Sequence, residues 1–159
     1  MEILNVGAGQ TNQEHEAAEE QRRAELLSDS KNAANYFFIA AGLAALSTGL
    51  LPVRVNILVN VGIVDLLSLY GGSLGRLLPV VVSAVASLWL LVLLVLGFAG
   101  RAQHRWAFWV GLVLYAADML ALMLTFSLWA FSVHAFFVFR WYQGQVALQE
   151  IKESATTIQ

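Results

Sequence analysis

From Tyr36 to Tyr142 the chain is almost unbrokenly apolar or small. The ionisable exceptions can be named one by one: Arg54, Asp65, Arg76, Arg101, His104, Arg105, Asp118, His134 and Arg140. A helix needs about 20 such residues to cross roughly 30 Å of hydrocarbon at about 1.5 Å per residue. Over the whole chain 58% of residues are hydrophobic and only 13% charged, against about 25% charged in an ordinary globular protein. A soluble core of this size could not hide that much apolar surface. The pattern therefore predicts an all-α, polytopic transmembrane bundle spanning residues 32–142. It is flanked by an acidic leader (1–31), partly helical, and a polar C-terminal tail (143–159) that opens with a helical turn or two.

The leader carries Glu2, Glu14, Glu16, Glu19, Glu20, Glu25 and Asp29 against Arg22, Arg23 and Lys31. A secretory signal places a basic stretch and a short apolar run within its first 15–30 residues. The order here is different, so the leader is expected to remain on the protein. Residues 1–10 read as disordered. Thr11-Asn12-Gln13-Glu14 has the spacing of a capping box, opening a polar helix to about Leu27, with a break at Ser28-Asp29-Ser30.

Five apolar segments follow. The first runs from about Asn32 to Leu51 and stops at Pro52; Ala41, Ala45 and Gly49 form a small-xxx-small face that lets another helix approach closely. The second, Asn56 to Tyr70, is shorter and holds Asp65; the turn Gly71-Gly72-Ser73-Leu74-Gly75 closes it. The third, Leu77 to Leu96, has Pro79 in its first turn, where a missing N–H costs little. A basic loop, Gly97 to His104, leads to Trp106–Phe139. As one helix that stretch would be about 51 Å long, so a hairpin with its turn at Thr125–Ser127 is predicted. It gives a fourth segment to Leu124 and a fifth from Leu128 to Tyr142.

Topology turns on the second segment. Five crossings would scatter the basic residues over both sides. Four crossings, with the second segment re-entrant or interfacial, gather Arg22, Arg23, Lys31, Arg101, Arg105, Arg140 and Lys152 on one side. The positive-inside rule then makes both tails cytoplasmic. Tyr36, Trp106, Trp109, Trp141 and Tyr142 supply an aromatic belt near that side.

Asp118 and His134 each lie eight residues from Phe126. An antiparallel hairpin turning there puts them at one depth, about 12 Å from the turn. Tyr115 and Gly111 share the Asp118 face. A lone Asp costs about 2.5–3.5 kcal/mol in a span and needs a partner or water. Two readings follow: a hydrogen-bonded clamp between helices, in which an amide at position 118 would serve nearly as well, or a polar centre for proton relay or ligand binding. Asp65 is a further candidate for that centre, since short polar segments hold transporter sites; it could equally pair with Arg54 or Arg76. Gly71-Gly72-Ser73-Leu74-Gly75 matches G-x-S-x-G, but that motif marks a nucleophile only after a strand. A Ser73–His134 hydrolase of the intramembrane type is thus disfavoured, and no enzymatic chemistry is predicted. No metal site is expected, because His15, His104 and His134 lie on different segments without ligand spacing. There is no Cys for a disulfide or thiolate site, no cofactor is called for, and no basic patch suggests nucleic acid.

Trp106-Ala-Phe-Trp-Val-Gly111-Leu-Val-Leu-Tyr115-Ala-Ala-Asp118, followed by His134-Ala-Phe-Phe-Val-Phe, resembles a set of small, uncharacterised bacterial integral membrane proteins whose helix reads WAFxxGxxLYAxD. Asn35-Tyr-Phe-Phe-Ile-Ala-Ala-Gly42-Leu and Val61-Gly62-Ile63 match more weakly, and Asp65 stands where the resemblance predicts Gln. It covers most of residues 35–145. The resemblance implies a helical fold and a bacterial inner-membrane location, and no activity. The expected partners are the lipid bilayer and either further copies of the chain or a larger membrane complex. A small transporter or proton-conducting oligomer using Asp118, His134 and Asp65 is the alternative to a structural or accessory component.

Overall fold

The computed structural model describes residues 4–50, 62–124 and 128–157, and every element among them is helical. Five α-helices run in the order α1 (Leu4–Leu50), α2 (Gly62–Tyr70), α3 (Leu78–Arg101), α4 (Arg105–Leu124) and α5 (Leu128–Thr157); a short 3-10 segment, Gly71–Leu77, joins α2 to α3. The stretch from Gly75 to Arg101 and α4 are long and apolar enough to cross a membrane. Only 33% and 39% of their most apolar windows are buried within the molecule. A core helix of a soluble protein would bury most of that surface. Here Leu88, Leu91, Val95, Val113 and Leu120 all face outward, as a lipid-facing surface would.

α1 differs most from the sequence-based expectation. It is one helix of 47 residues, about 70 Å long, starting at Leu4 and passing through Ser28-Asp29-Ser30 without a break. Ser and Asp are weak helix formers but carry neither the ring of Pro nor the freedom of Gly. Packing then decides: Ser30 is fully buried, at the start of the stripe by which α1 packs on α3 and α5. The same holds at the C-terminus. α5 runs 30 residues to Thr157, so the tail read from Gln143 onward is the continuation of a helix. Arg22 on α1 and Glu150 on α5 meet at 3.4 Å, and Arg105 Nη2 donates to Gln149 Oε1 at 3.5 Å. These contacts bring the polar half of α1, the start of α4 and the end of α5 to one end of the bundle.

The buried stripe of α1 is Ala33, Ala34, Phe37, Ala40, Ala41 and Ala44. Ala41 belongs to it, but Ala45 is exposed, which corrects the small-residue face expected from Ala41, Ala45 and Gly49; the side chain environment of Gly49 lies outside the described residues. The stripe is centred one position earlier because α1 sits between two neighbours. A Cβ on Gly100 of α3 would lie 3.1 Å from Ala34 Cβ, and one on Gly144 of α5 would lie 2.6 Å from Ala33 Cβ. Small residues thus face small residues on both flanks, the close approach that packing in lipid requires.

The α3–α4 connection is tighter than the predicted Gly97–His104 loop. α3 continues to Arg101 and closes with a Schellman arrangement: Gln103 N–H donates to Gly100 O at 2.9 Å and His104 N–H to Ala99 O at 3.0 Å. Gln103 takes the left-handed position with φ 63°. The predicted hairpin turn, Thr125–Ser127, lies outside the described residues, as do Pro52, Arg54, Asn56 and Asn60. The helices on either side of that turn, α4 and α5, pack against each other. The described part of α2 has nine residues, about 13.5 Å of helix. It packs on α4 and α3.

Candidate functional site

α4 turns Gly111, Tyr115, Asp118 and Leu122 toward the interior, and α5 turns Ala130, His134, Phe137 and Trp141 the same way. Their spacings of three and four residues put each set on one helical face. Asp118 Oδ2 and His134 Nε2 stand 2.8 Å apart, with side-chain exposures of 0% and 1%. The Tyr115 ring stacks on the His134 imidazole, with centroids 4.7 Å apart. The Tyr115 ring also stacks with Trp89 at 6.0 Å and meets Trp141 edge-on at 4.5 Å. This aromatic wall leaves the imidazole one orientation.

The carboxylate has further partners that sequence spacing does not reveal. Gly62 N–H donates to Asp118 Oδ2 and Ile63 N–H to Oδ1, each at 3.0 Å. These are the first two described residues of α2, where amide groups have no carbonyl partner within the helix. Asp118 therefore caps α2 from another helix, and its negative end faces the positive end of the α2 dipole. Gly62 is buried against α4: a Cβ there would come within 2.6 Å of the Asp118 carbonyl oxygen. Only a residue without Cβ lets the α2 backbone come this near.

The proton inventory follows from the acceptors. His134 Nδ1 lies 2.9 Å from Ala130 O. A carbonyl only accepts, so Nδ1 carries a hydrogen. One further proton lies between Nε2 and Asp118 Oδ2, and the pair is neutral overall whichever atom holds it. Neutrality and complete pairing are what make such a group tolerable in a dry interior. The same geometry argues against a catalytic triad. In a triad one imidazole nitrogen faces the acid and the other faces the nucleophile; here the second nitrogen is spent on Ala130 O. Ser73 is exposed on the 3-10 segment, away from the buried imidazole.

Asp65 lies on α2 with its side chain outside the described residues. Ala41 belongs to the α1 stripe and Gly111 to the wall beside Phe37, so both are packing positions apart from the polar pair. Among the described residues no group of three or more His, Asp or Glu could hold a metal ion. Gln145, which the sequence assigns to the tail, is 3% exposed. With its amide turned to suit its neighbours, its oxygen accepts from Trp109 Nε1 at 2.8 Å and Arg105 Nη2 at 3.0 Å, while its nitrogen donates to Arg105 O at 3.2 Å. Its signal was indirect: Arg105, Trp109 and Gln145 lie level if the α4–α5 hairpin is extended past Tyr142. Comparison with protein-family models, curated proteins and solved structures finds no match.

Proposed function

We propose that this chain is a four-span protein of the bacterial inner membrane with both tails in the cytoplasm. In this reading it is a non-enzymatic structural or accessory component that packs with itself or within a larger membrane complex. The observation that carries the reading is the closure of the polar centre. Asp118 and His134 are shut off from solvent, and the partners named above take up the carboxylate and both imidazole nitrogens. A conducting route needs polar groups at successive depths and water to join them, whereas this pair ties α2, α4 and α5 together. The polar half of α1 supports a contact role. Residues 13–25 are exposed on every face, and a helix polar all round projects into water and is free to meet a partner.

The one-sided gathering of Arg22, Arg105, Gln149 and Glu150 supports the placement of the leader, the α3–α4 connection and the tail on a common side. Reporter fusions at Gln10, Gln103 and Gln159 are therefore expected to read cytoplasmic together. A periplasmic signal at Gln159 alone would restore five crossings.

The competing reading is a proton-conducting oligomer using Asp118, His134 and Asp65, favoured only by the proton shared between the first two. Proteoliposomes holding a pH-sensitive dye decide between them. Under an imposed potential, the purified protein is expected to acidify the lumen no faster than empty vesicles. A flux above that background, abolished by Asp118→Asn, would overturn the structural reading.

A further inference from the structure

A groove of about 400 Å³ opens between α1 and α5 where both helices leave their apolar sections. That volume falls in the range of small-ligand clefts. Its lining includes the apolar Phe139 and Val146 and the polar Asp29, Arg140, Gln143 and Glu150. The groove thus offers both apolar and charged lining at the level of Tyr36 and Tyr142, the aromatic belt expected at a lipid–water boundary.

Arg140 is the informative residue. Its Cζ sits 4.8 Å from the centre of the Tyr36 ring, and Nη1 donates to Gln143 Oε1 at 2.7 Å. Its Nε is buried without an acceptor, and no carboxylate pairs with it among the described residues. Arg22, by contrast, has Glu150. Tyr36 and Gln143 hold the guanidinium in place without neutralising it. A fixed, planar cation of this kind matches the geometry of a phosphate. With Glu150 engaged by Arg22, the carboxylate of Asp29 on the same groove disfavours a guest that is only anionic and attracts one that also carries an ammonium group.

We infer that this groove binds a zwitterionic phospholipid with a primary ammonium headgroup, of the phosphoethanolamine type. The phosphate lies on Arg140, the ammonium on the side of Asp29, and an acyl chain leaves along Phe139. The inference rests on the membrane placement proposed above, and that placement is read separately by alkaline extraction of the membranes. Protein released to the supernatant would sink the placement. Protein kept in the pellet but without lipid selectivity would sink only the groove.

The binding test uses the full chain in detergent, stripped of lipid and titrated with phosphatidylethanolamine, phosphatidylglycerol or phosphatidylcholine. Bound lipid is counted by native mass spectrometry. The ethanolamine lipid is expected to bind best, because a quaternary ammonium has no N–H to give Asp29 and a glycerol headgroup has no cation. Arg140→Gln is expected to weaken it roughly tenfold, the scale of one charge-assisted hydrogen bond. Asp29→Asn, at an exposed position, is expected to narrow the preference over phosphatidylglycerol. Unchanged binding by Arg140→Gln, a preference for phosphatidylglycerol in the wild type, or equal competition by soluble phosphoethanolamine would each overturn the assignment.

Discussion

Asp118→Leu is expected to destabilise the protein by about 2–4 kcal/mol, because three donors, two buried and one part-buried, lose their acceptor at once. Gly62 N–H, Ile63 N–H and the proton on the His134 side all point at that carboxylate. The sequence alone suggests that Asp118→Asn is mild, but the geometry argues otherwise. An amide can donate to His134 Nε2 and accept from Ile63 N–H, yet its NH₂ group then faces Gly62 N–H, donor against donor. The expected cost is about 1–2 kcal/mol, one orphaned amide. Adding His134→Phe to Asp118→Leu removes the imidazole's unmet need and should recover part of the loss, leaving the two α2 amides unpaired. Thermal unfolding in detergent, run as a double-mutant cycle, is expected to give a coupling of about 1 kcal/mol. Hydrogen exchange at Gly62 and Ile63 should quicken in Asp118→Leu, with or without His134→Phe. Zero coupling would mean that the two side chains do not meet.

Gly111→Ala is the second large effect. Its new Cβ would fall 2.5 Å from Phe37 Cε1 and 2.6 Å from Cζ. The ring cannot step back, because it lies stacked on Trp141 with centroids 4.0 Å apart and planes 11° from parallel. Gly144→Ala meets Ala33 Cβ at 2.6 Å and Phe108 Cε1 at 2.8 Å, so it pushes α1 off α5. Each change is expected to cost about 1–3 kcal/mol, the usual penalty of overpacking. Gly42→Ala is the control. It too replaces a helical glycine, but nothing lies within 4 Å of its Cβ. It should be neutral or raise stability by up to about 1 kcal/mol through helix propensity. Pairing Gly111→Ala with Phe37→Leu should restore part of the melting temperature. Equal melting temperatures for the Gly42 and Gly111 variants would contradict the seating of the Phe37 ring against Gly111.

Several features were legible in the chain itself. The apolar runs between Tyr36 and Tyr142 fix a helical architecture, since segments this apolar can satisfy their backbone in lipid only as helices or closed barrels. The eight-residue spacing of Asp118 and His134 about Phe126 sets their common depth through helix rise alone, and the two side chains meet. What tertiary structure decided is of another kind. Asp118 caps α2 across 55 and 56 positions of sequence, through backbone amides that every residue but Pro carries, so no residue type announces it. Ser30 and Gln145 read as break and tail because they are polar; both are buried, Ser30 at the start of the stripe by which α1 packs on its neighbours and Gln145 against Arg105 and Trp109 of α4. Ala41 and Ala45 look alike in the chain, yet one packs and the other is exposed. In water, hydrophobic periodicity distinguishes inside from outside. In an apolar bundle the outward face is as apolar as the inward one, so period and spacing assign helices and depths, and only the arrangement of the neighbours assigns faces.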